Sequence, residues 1–315
     1  MGHSIFQTLY AFLRMRLSVS YILPGLVASL LLAFTACGDD DEIQFGESTS
    51  SDSESYTVST DISTRMEIPE YMTDGSTTVV MHTTTESGKT VVTYTLEYSH
   101  AMMHSRWVAF RFDGDTRAKT VSRASNDAFM DDPDLSSDLA IGSNGFGTGY
   151  DRGHLCASAD RLYSTDANEQ TFYMSNMSPQ ISNFNQYYWV TLEGQVQTLG
   201  RNTSFSDTLY VVKGGTILED QINGYITRSN GKQVAIPTYY FMALLKIKNN
   251  VYSSIAFLME HKNYGSETAT LDQIEEHALT VNDLEDFTGI NFFPNLDDSQ
   301  EESIESQLLP SNWGF

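Results

Sequence analysis

The sequence has little cysteine. Its 315 residues include only two, Cys37 and Cys156, so a scaffold held together by several disulfides is excluded. A sizeable core must come instead from the 40% of residues that are hydrophobic. Cys156 lies two residues after His154, and we interpret it as a small packed side chain, with a catalytic thiol as the alternative.

Several catalytic and architectural patterns are also missing. The chain has no Gly-x-Ser-x-Gly and no His-Glu-x-x-His, so it gives no support for a serine hydrolase or a zinc protease. No segment of 20–50 residues recurs, which argues against a solenoid or a propeller. At this length, one large domain or two small ones are expected.

Basic residues are scarce. Eighteen Lys and Arg face 41 Asp and Glu, which gives a formal net charge of -23 and disfavours binding to a polyanion. The excess is concentrated at the ends, because residues 39–74 and residues 272–315 each hold 11 acidic side chains. Residues 75–271 carry 19 acidic and 15 basic side chains, so a locally positive groove is compatible with the composition of this central part.

The amino terminus has the pattern of a targeting segment. Arg14 and Arg16 precede an apolar run over residues 17–36, which ends in small residues before Cys37. A cysteine at this point resembles the bacterial lipobox. We therefore expect a signal peptide over residues 1–37, lipidation of Cys37, a lipid anchor in a membrane, and an exported lipoprotein at the outer membrane or cell surface. The alternative is an uncleaved membrane helix, since about twenty apolar residues can span a bilayer.

An acidic, Ser/Thr-rich stretch follows. Residues 38–75 contain few large apolar side chains, so they are predicted to form a flexible linker. The acidic residues 39–42 resemble a surface-export signal, and a solvated start to the linker is the other interpretation. The folded domain is then expected over residues 76–315.

Chemistry-bearing residues are concentrated in two neighbouring segments. Asp151-Arg152-Gly153-His154 is followed by Ser175-Asn176-Met177-Ser178-Pro179-Gln180 and then by Asn185 and Glu193. A histidine can take a proton from water near neutral pH. A carboxamide oxygen can hold Mg²⁺, and a guanidinium can stabilise charge on phosphate oxygens. Together these groups predict a site that cleaves phosphodiesters with one metal ion.

The ordered set also carries a family resemblance. Asp-Arg-Gly-His, Ser-Asn-Met-x-Pro-Gln, x-Phe-Asn-Gln and Trp-x-x-Leu-Glu together resemble the DNA/RNA non-specific endonuclease family, over roughly residues 90–300. The resemblance implies an α+β fold, with a mixed, mainly antiparallel central sheet flanked by helices and a ββα-metal site. It also implies single- or double-stranded DNA and RNA as partners.

The same resemblance implies a role for each site residue. His154 is the general base, and Asn185 is the single direct protein ligand of Mg²⁺, or of Mn²⁺ in its place. Glu193 is an outer-shell acid that orients a water of the ion. Arg123 and Arg152 contact phosphate. Asn176 matches an asparagine beside the scissile phosphate, with a structural cap as its competing role.

Periodicity places these residues on local elements. Residues 181–195 are predicted to be helical, ending near Gly194, with Asn185, Trp189 and Glu193 on one stripe. Strand alternation puts Arg152 and His154 on the same face of a strand. β-branched and apolar runs predict a hairpin and further strands at 76–98, 107–112, 118–121, 209–215, 239–248 and 251–259.

The sequence thus predicts a metal-dependent endonuclease without sequence specificity. Two other classes remain open at this point. One is a catalytically inactive, surface-binding lipoprotein that keeps the fold. The other is a phosphodiesterase acting on small or lipid substrates.

Overall fold

The structure, a computed structural model, describes residues 61–315, apart from the side chains of Asn126 and Asp298. The predicted signal peptide, its lipidated Cys37 and most of the predicted linker lie outside the described residues. Within them, no helix is both long enough and apolar enough to cross a membrane.

Eleven strands are found in the described part of the chain, and they form three antiparallel groups. Seven of them make one sheet in the order β1-β2-β3-β6-β9-β10-β11, while β4 pairs with β5 and β7 with β8. The strands are β1 (Thr77–Glu86), β2 (Lys89–Ser99), β3 (His104–Phe112), β4 (Tyr150–His154), β5 (Met177–Ile181), β6 (Thr208–Gly215), β7 (Ile222–Thr227), β8 (Gln233–Pro237), β9 (Tyr239–Lys248), β10 (Val251–Glu260) and β11 (Ala278–Leu279).

Short helices connect and cover the sheet. They are α1 (Thr165–Gln170), α2 (Val190–Arg201), α3 (Leu271–Glu275), α4 (Val281–Thr288) and α5 (Asp298–Glu305), and a π-helical segment, Phe184–Trp189, runs directly into α2. The predicted α+β class, with a mainly antiparallel sheet, is confirmed.

The first hairpin shows how local sequence sets the register. Strands β1 and β2 meet at Ser87 and Gly88, which both have positive φ angles, 51° and 81°. Two consecutive residues of this kind form the tight turn that matches the right-handed twist of paired strands. The predicted hairpin is therefore confirmed. The predicted strand at 118–121 is wrong, because Thr120 and Val121 donate their backbone N–H groups to the Leu162 carbonyl instead of to a neighbouring strand.

The large sheet buries both of its faces, which explains the nearly continuous apolar run of β9. One face packs on α2 through Leu192 and Val196, both fully buried. Burying an aliphatic side chain of this size contributes roughly 2 kcal/mol. The other face packs on α4 and α5, for example through Leu284 and Ile304. The strand pair β4–β5 lies on the α2 side, where Leu155 joins the same core.

The segment before β1 belongs with the domain. The linker was predicted to extend to residue 75, but Ile68 is only 2% exposed, and Ile62, Met66 and Tyr71 pack against the second core. These apolar residues are spaced through a Ser/Thr-rich stretch whose average composition hides them. The structure therefore places the described residues 61–75 against the sheet rather than in a free tether.

Candidate active site

One open pocket of about 670 Å³ gathers most of the predicted site residues. Strand β4, the π-helical segment, helix α2 and the loops around residues 123–129 and 157–159 form its walls. The predicted residues that line it are Arg123, Arg152, His154, Asn185 and Glu193. Residues separated by seventy positions in sequence are thus brought to one cavity.

His154 ends strand β4 and lies between two aromatic rings. The centroid of its ring is 5.8 Å from that of Phe129 and 5.0 Å from that of Phe172, the latter edge-on. Burial, together with the positive charges of Arg123 and nearby cationic groups, lowers the pKa of His154 to about 3. Its Nε2 atom is buried and has no hydrogen-bond partner among the described residues. The imidazole is therefore neutral at physiological pH and has a lone pair available for a proton.

A bound phosphodiester would change this balance. A negative charge close to an imidazole favours the protonated form and raises its pKa towards the range that suits a general base near neutrality. The two arginines that now depress the pKa of His154 would be partly neutralised by the same phosphate. Binding of an anion in the pocket would thus raise the pKa of His154.

The same aromatic rings support both arginines. The guanidinium of Arg152 lies 3.6 Å from the centroid of the Phe129 ring, and that of Arg123 lies 4.8 Å from the centroid of Phe172. Arg152 also donates from Nη1 to the Ser143 carbonyl at 2.7 Å. Neither arginine forms an ion pair with any described residue, so both can take an anion in the pocket.

The carboxylate of Asp151 orients Asn185. Strand alternation places Asp151 on the opposite face of β4 from His154. Asn185 donates from Nδ2 to Asp151 Oδ2 at 2.9 Å, and Gln186 donates to the same oxygen at 2.8 Å. The side chain of Ser182 donates to the other oxygen of Asp151. A carboxylate only accepts hydrogen bonds, so the amide nitrogen of Asn185 faces Asp151 and its Oδ1 is free for another ligand. An oxygen donor in an open polar pocket fits a hydrated divalent ion.

Glu193 lies on α2 at the back of the pocket and is paired with a buried lysine. Lys213 Nζ lies 3.1 Å from Glu193 Oε1 and 2.8 Å from Asp160 Oδ2. Burial raises the pKa of Glu193, and the charge of Lys213 opposes that rise. Burial would lower the pKa of Lys213, but the two carboxylates outweigh it and raise the pKa. Sequence reasoning missed Lys213, although a lysine inside the apolar run 209–215 was a visible signal.

The π-helical segment corrects the predicted helix. The structure has Phe184–Trp189 in π geometry followed by α2, which continues past Gly194 to Arg201. The wider π turn removes Trp189 from the predicted stripe: it is fully buried and stacks on Phe184, with centroids 5.7 Å apart. Val190 faces the pocket instead, between Asn185 and Glu193. Single π turns of this kind are frequent at functional sites.

Asn176 is not among the pocket-lining residues. Its Oδ1 accepts from the Cys156 N–H at 2.8 Å, and its Nδ2 donates to the Cys156 and Thr171 carbonyls. All of these contacts are with backbone, and the residue is fully buried. The structure thus gives Asn176 the capping role that competed with catalysis, just after His154. Cys156 is fully buried as well, and burial raises the pKa of its thiol.

A second group of ionisable side chains lies outside the pocket. His82 has one ring nitrogen 3.0 Å from Asp132 Oδ2 and the other 3.2 Å from Asp134 Oδ2. These three residues could offer one ligand atom each to a metal ion. However, the two carboxylates contact different nitrogens of the ring, so contacts with the ring itself account for the grouping. Ser175 also donates to Asp132, so the group ties β1 to the segment before β5.

An antiparallel strand pair is followed by a helix, with a histidine on the first strand and an asparagine entering the helix, and the chain is a hydrolytic nuclease. The chain belongs to the DNA/RNA non-specific endonuclease family, whose family model matches residues 74–299. Members of this family depend on a divalent metal.

Individual relatives agree with this assignment. The chain is 32% identical to Nuclease C1 of Cunninghamella echinulata var. echinulata over 216 residues, which cover 65% of this chain and 81% of that protein. It is 28% identical to mitochondrial Endonuclease G of Bos taurus, over 66% of this chain and 69% of that protein. The crystal structure of the EndoG/EndoGI complex contains a chain of similar fold, with a TM-score of 0.54 and 22% identity, covering 70% of this chain and 89% of that one.

Proposed function

We propose that the chain is a Mg²⁺-dependent endonuclease that hydrolyses phosphodiester bonds in DNA and RNA without reading sequence. Mn²⁺ is expected to replace Mg²⁺. The observation that supports this most directly is that His154, Asn185 and two arginines without ion pairs among the described residues line one pocket.

His154 is proposed as the general base. Its neutral ring accepts a proton at Nε2 from a water molecule, and that water attacks phosphorus in line with the leaving 3′ oxygen. Arg123 and Arg152 hold the nonbridging phosphate oxygens and stabilise the charge that grows on them in the transition state. These groups contact phosphate rather than base edges, so little sequence would be read.

Asn185 is the proposed metal ligand, through Oδ1. Glu193 is proposed to orient a water molecule bound to the ion. When bound, Mg²⁺ would neutralise negative charge on the phosphate and on the leaving oxygen. Asp151 then has an indirect role, because it holds the amide of Asn185 in the orientation that presents its oxygen.

The central test is a plasmid-nicking and RNA-degradation assay with Mg²⁺ titrated in and EDTA as control. The variant H154A should lose roughly 10²–10⁴-fold in kcat, with partial rescue by imidazole. His100 offers a matched control, because it is hydrogen-bonded to Thr78 and does not line the pocket. H100A should cleave like the wild type. Undiminished cleavage by H154A would overturn the assignment of the base.

The two other classes receive no support from the relatives, which are named as nucleases. A protein that binds nucleic acid but never cuts it in Mg²⁺ would indicate the inactive scaffold. Cleavage of bis-p-nitrophenyl phosphate without any cleavage of nucleic acid would indicate the small-substrate phosphodiesterase.

We also propose that the chain is exported and anchored through a lipid on Cys37. The support is the order of basic residues, apolar run and cysteine in the sequence. Metabolic labelling with palmitate should mark the wild type and not C37A, and the wild type alone should partition with membranes. Equal labelling of the two would contradict the anchor.

A further inference from the structure

Lys213 occupies an unusual position for a charged side chain. Strand β6 directs Leu209 and Val211 into the core that packs on α2, and Lys213 continues the same alternation. Its side chain is fully buried, with Nζ 5.3 Å from the centroid of the Phe110 ring. A lysine thus stands where the strand pattern calls for an aliphatic residue.

Two carboxylates share this lysine, and they differ in their surroundings. The carboxylate of Asp160 is fully buried and accepts further hydrogen bonds from the Ala157 N–H and from Gln197 Nε2. Glu193 lines the pocket, and its Oε1 is the atom that contacts Lys213. Asp160 therefore holds the ammonium group of Lys213 in place, and that ammonium group holds the carboxylate of Glu193. The contact with Lys213 uses one oxygen of Glu193, Oε1, while the residue itself lines the pocket.

Stability alone does not account for this network. Removing charges from water into a core costs several kcal/mol per ion, and replacement of such a group by apolar side chains is often neutral or stabilising. An aliphatic residue at position 213 and uncharged partners would complete the same core. The retained charge is explained if the carboxylate at the pocket has to be held in one orientation.

We propose that Lys213 and Asp160 are positioning residues for Glu193, holding its carboxylate in one orientation and aimed at the water around the divalent ion next to Asn185. This inference rests on the proposed function and adds to it two residues from outside the pocket. Partners that orient the surroundings of a metal typically change metal affinity or activity by about 10–100-fold when they are removed.

The test is a double-mutant cycle on the full chain, with two readouts. Cleavage of plasmid DNA gives kcat and KM, and Mn²⁺ binding without substrate, followed by electron paramagnetic resonance, gives a signal independent of turnover. K213M keeps the length of the side chain but removes its charge. It should lower kcat about 10–100-fold with little change in KM for DNA, and should weaken Mn²⁺ binding. K213R should recover part of both losses.

Coupling decides between positioning and a merely structural role. If Lys213 acts through Glu193, the variant K213M/E193Q should be no worse than E193Q alone. Additive losses, or Mn²⁺ binding and kcat unchanged in K213M, would overturn the inference. Lys248 supplies the control: it lies on the neighbouring strand β9 and pairs with the exposed Asp207. K248M should match the wild type in both readouts.

Folding of each variant is checked by circular dichroism and thermal unfolding. If K213M does not fold, the same cycle is run with K213R and E193Q, and additive losses there overturn the inference in the same way. Failure of the proposed function has a different signature, which is no metal-dependent cleavage by the wild type or full cleavage by H154A. If the wild type is active but the losses in K213M and E193Q are additive, only the positioning role of Lys213 is overturned.

Discussion

At the scale of single residues, the pocket gives different supports to the proposed proton acceptor and to the proposed ion ligand. His154 is packed between two phenyl rings, and its burial keeps it neutral. Asn185 is held by the Asp151 carboxylate, which fixes its amide and leaves an oxygen for a cation. Apolar surroundings keep the imidazole uncharged, as a base requires. The carboxylate accepts the amide N–H of Asn185 and so leaves the amide oxygen to face a cation.

These different supports predict different defects. N185A should lose Mn²⁺ binding and cleavage together, because the proposed direct ligand is gone. H154A should lose cleavage but still bind Mn²⁺. Calorimetric or spectroscopic titration of the two proteins measures this difference. N183A is the control, since Asn183 donates to Asn263 and does not line the pocket. Equal Mn²⁺ affinity in N185A and the wild type would remove Asn185 from the ion.

At the scale of elements, the site depends on close pairing of β4 with β5. Gly153 pairs with Ser178 and lies between Arg152 and His154, the two residues of this strand that are proposed to act on the substrate. A Cβ atom at Gly153 would come within 2.1 Å of Gln180 Oε1 and 2.5 Å of its Cγ. The glycine is thus needed because the side chain of the neighbouring strand fills the space above it.

This contact predicts that a substitution at Gly153 is harmful and that a second substitution, at Gln180, partly reverses the harm. G153A should lower the melting temperature and reduce kcat at least tenfold, because the strand or Gln180 must shift to remove the clash. Q180A removes the clashing atoms, and both polar atoms of the Gln180 side chain lack hydrogen-bond partners among the described residues, so its loss breaks no such bond. The double variant G153A/Q180A should therefore be more stable and more active than G153A. Thermal unfolding and plasmid nicking measure both effects, and a double variant worse than G153A would contradict the steric explanation.

The same elements show how far the sequence alone could go. Motif order and strand alternation were enough to place His154 and Arg152 in one groove, because alternation is a local property. The π turn was not predictable from periodicity, since counting in steps of four assumes α geometry and so put Trp189 on the pocket stripe. Lys213 and Asp160 were missed because the pairing of Lys213 with Glu193 and with Asp160 is set by sheet order and helix packing. Contacts across 20 and 53 residues leave no spacing signature.

At the scale of the whole molecule, the buried ionisable groups set the response of stability to pH. Burial lowers the pKa of four histidines, to about 3 for His154 and about 4 for His104, His261 and His277. The unfolded chain would protonate them at their ordinary value near 6.5, while the folded chain keeps them neutral. The unfolded state therefore binds more protons between about pH 4 and 6.5, and stability falls as pH decreases through this window. For a fully buried group such as His104 the slope approaches about 1.4 kcal/mol per pH unit.

Two glutamates have the opposite effect, because they make the folded protein less stable as the pH rises above neutrality. Burial raises the pKa of Glu285 to about 7 and that of Glu305 to about 9, so the folded state retains protons that the unfolded chain has lost above about pH 4.5. Their contribution is present at low pH and is lost as pH rises through 7 and then 9, which places the stability maximum between about pH 6 and 7. E305Q keeps a neutral side chain at every pH. It should match the wild type near pH 4 and exceed it in urea-unfolding free energy at pH 9, whereas E275Q, an exposed change on α3 that does not act on Glu305, should follow the wild type throughout. A wild-type curve that keeps rising to pH 9, or an E305Q curve parallel to it, would show that Glu305 does not hold a proton in the folded protein.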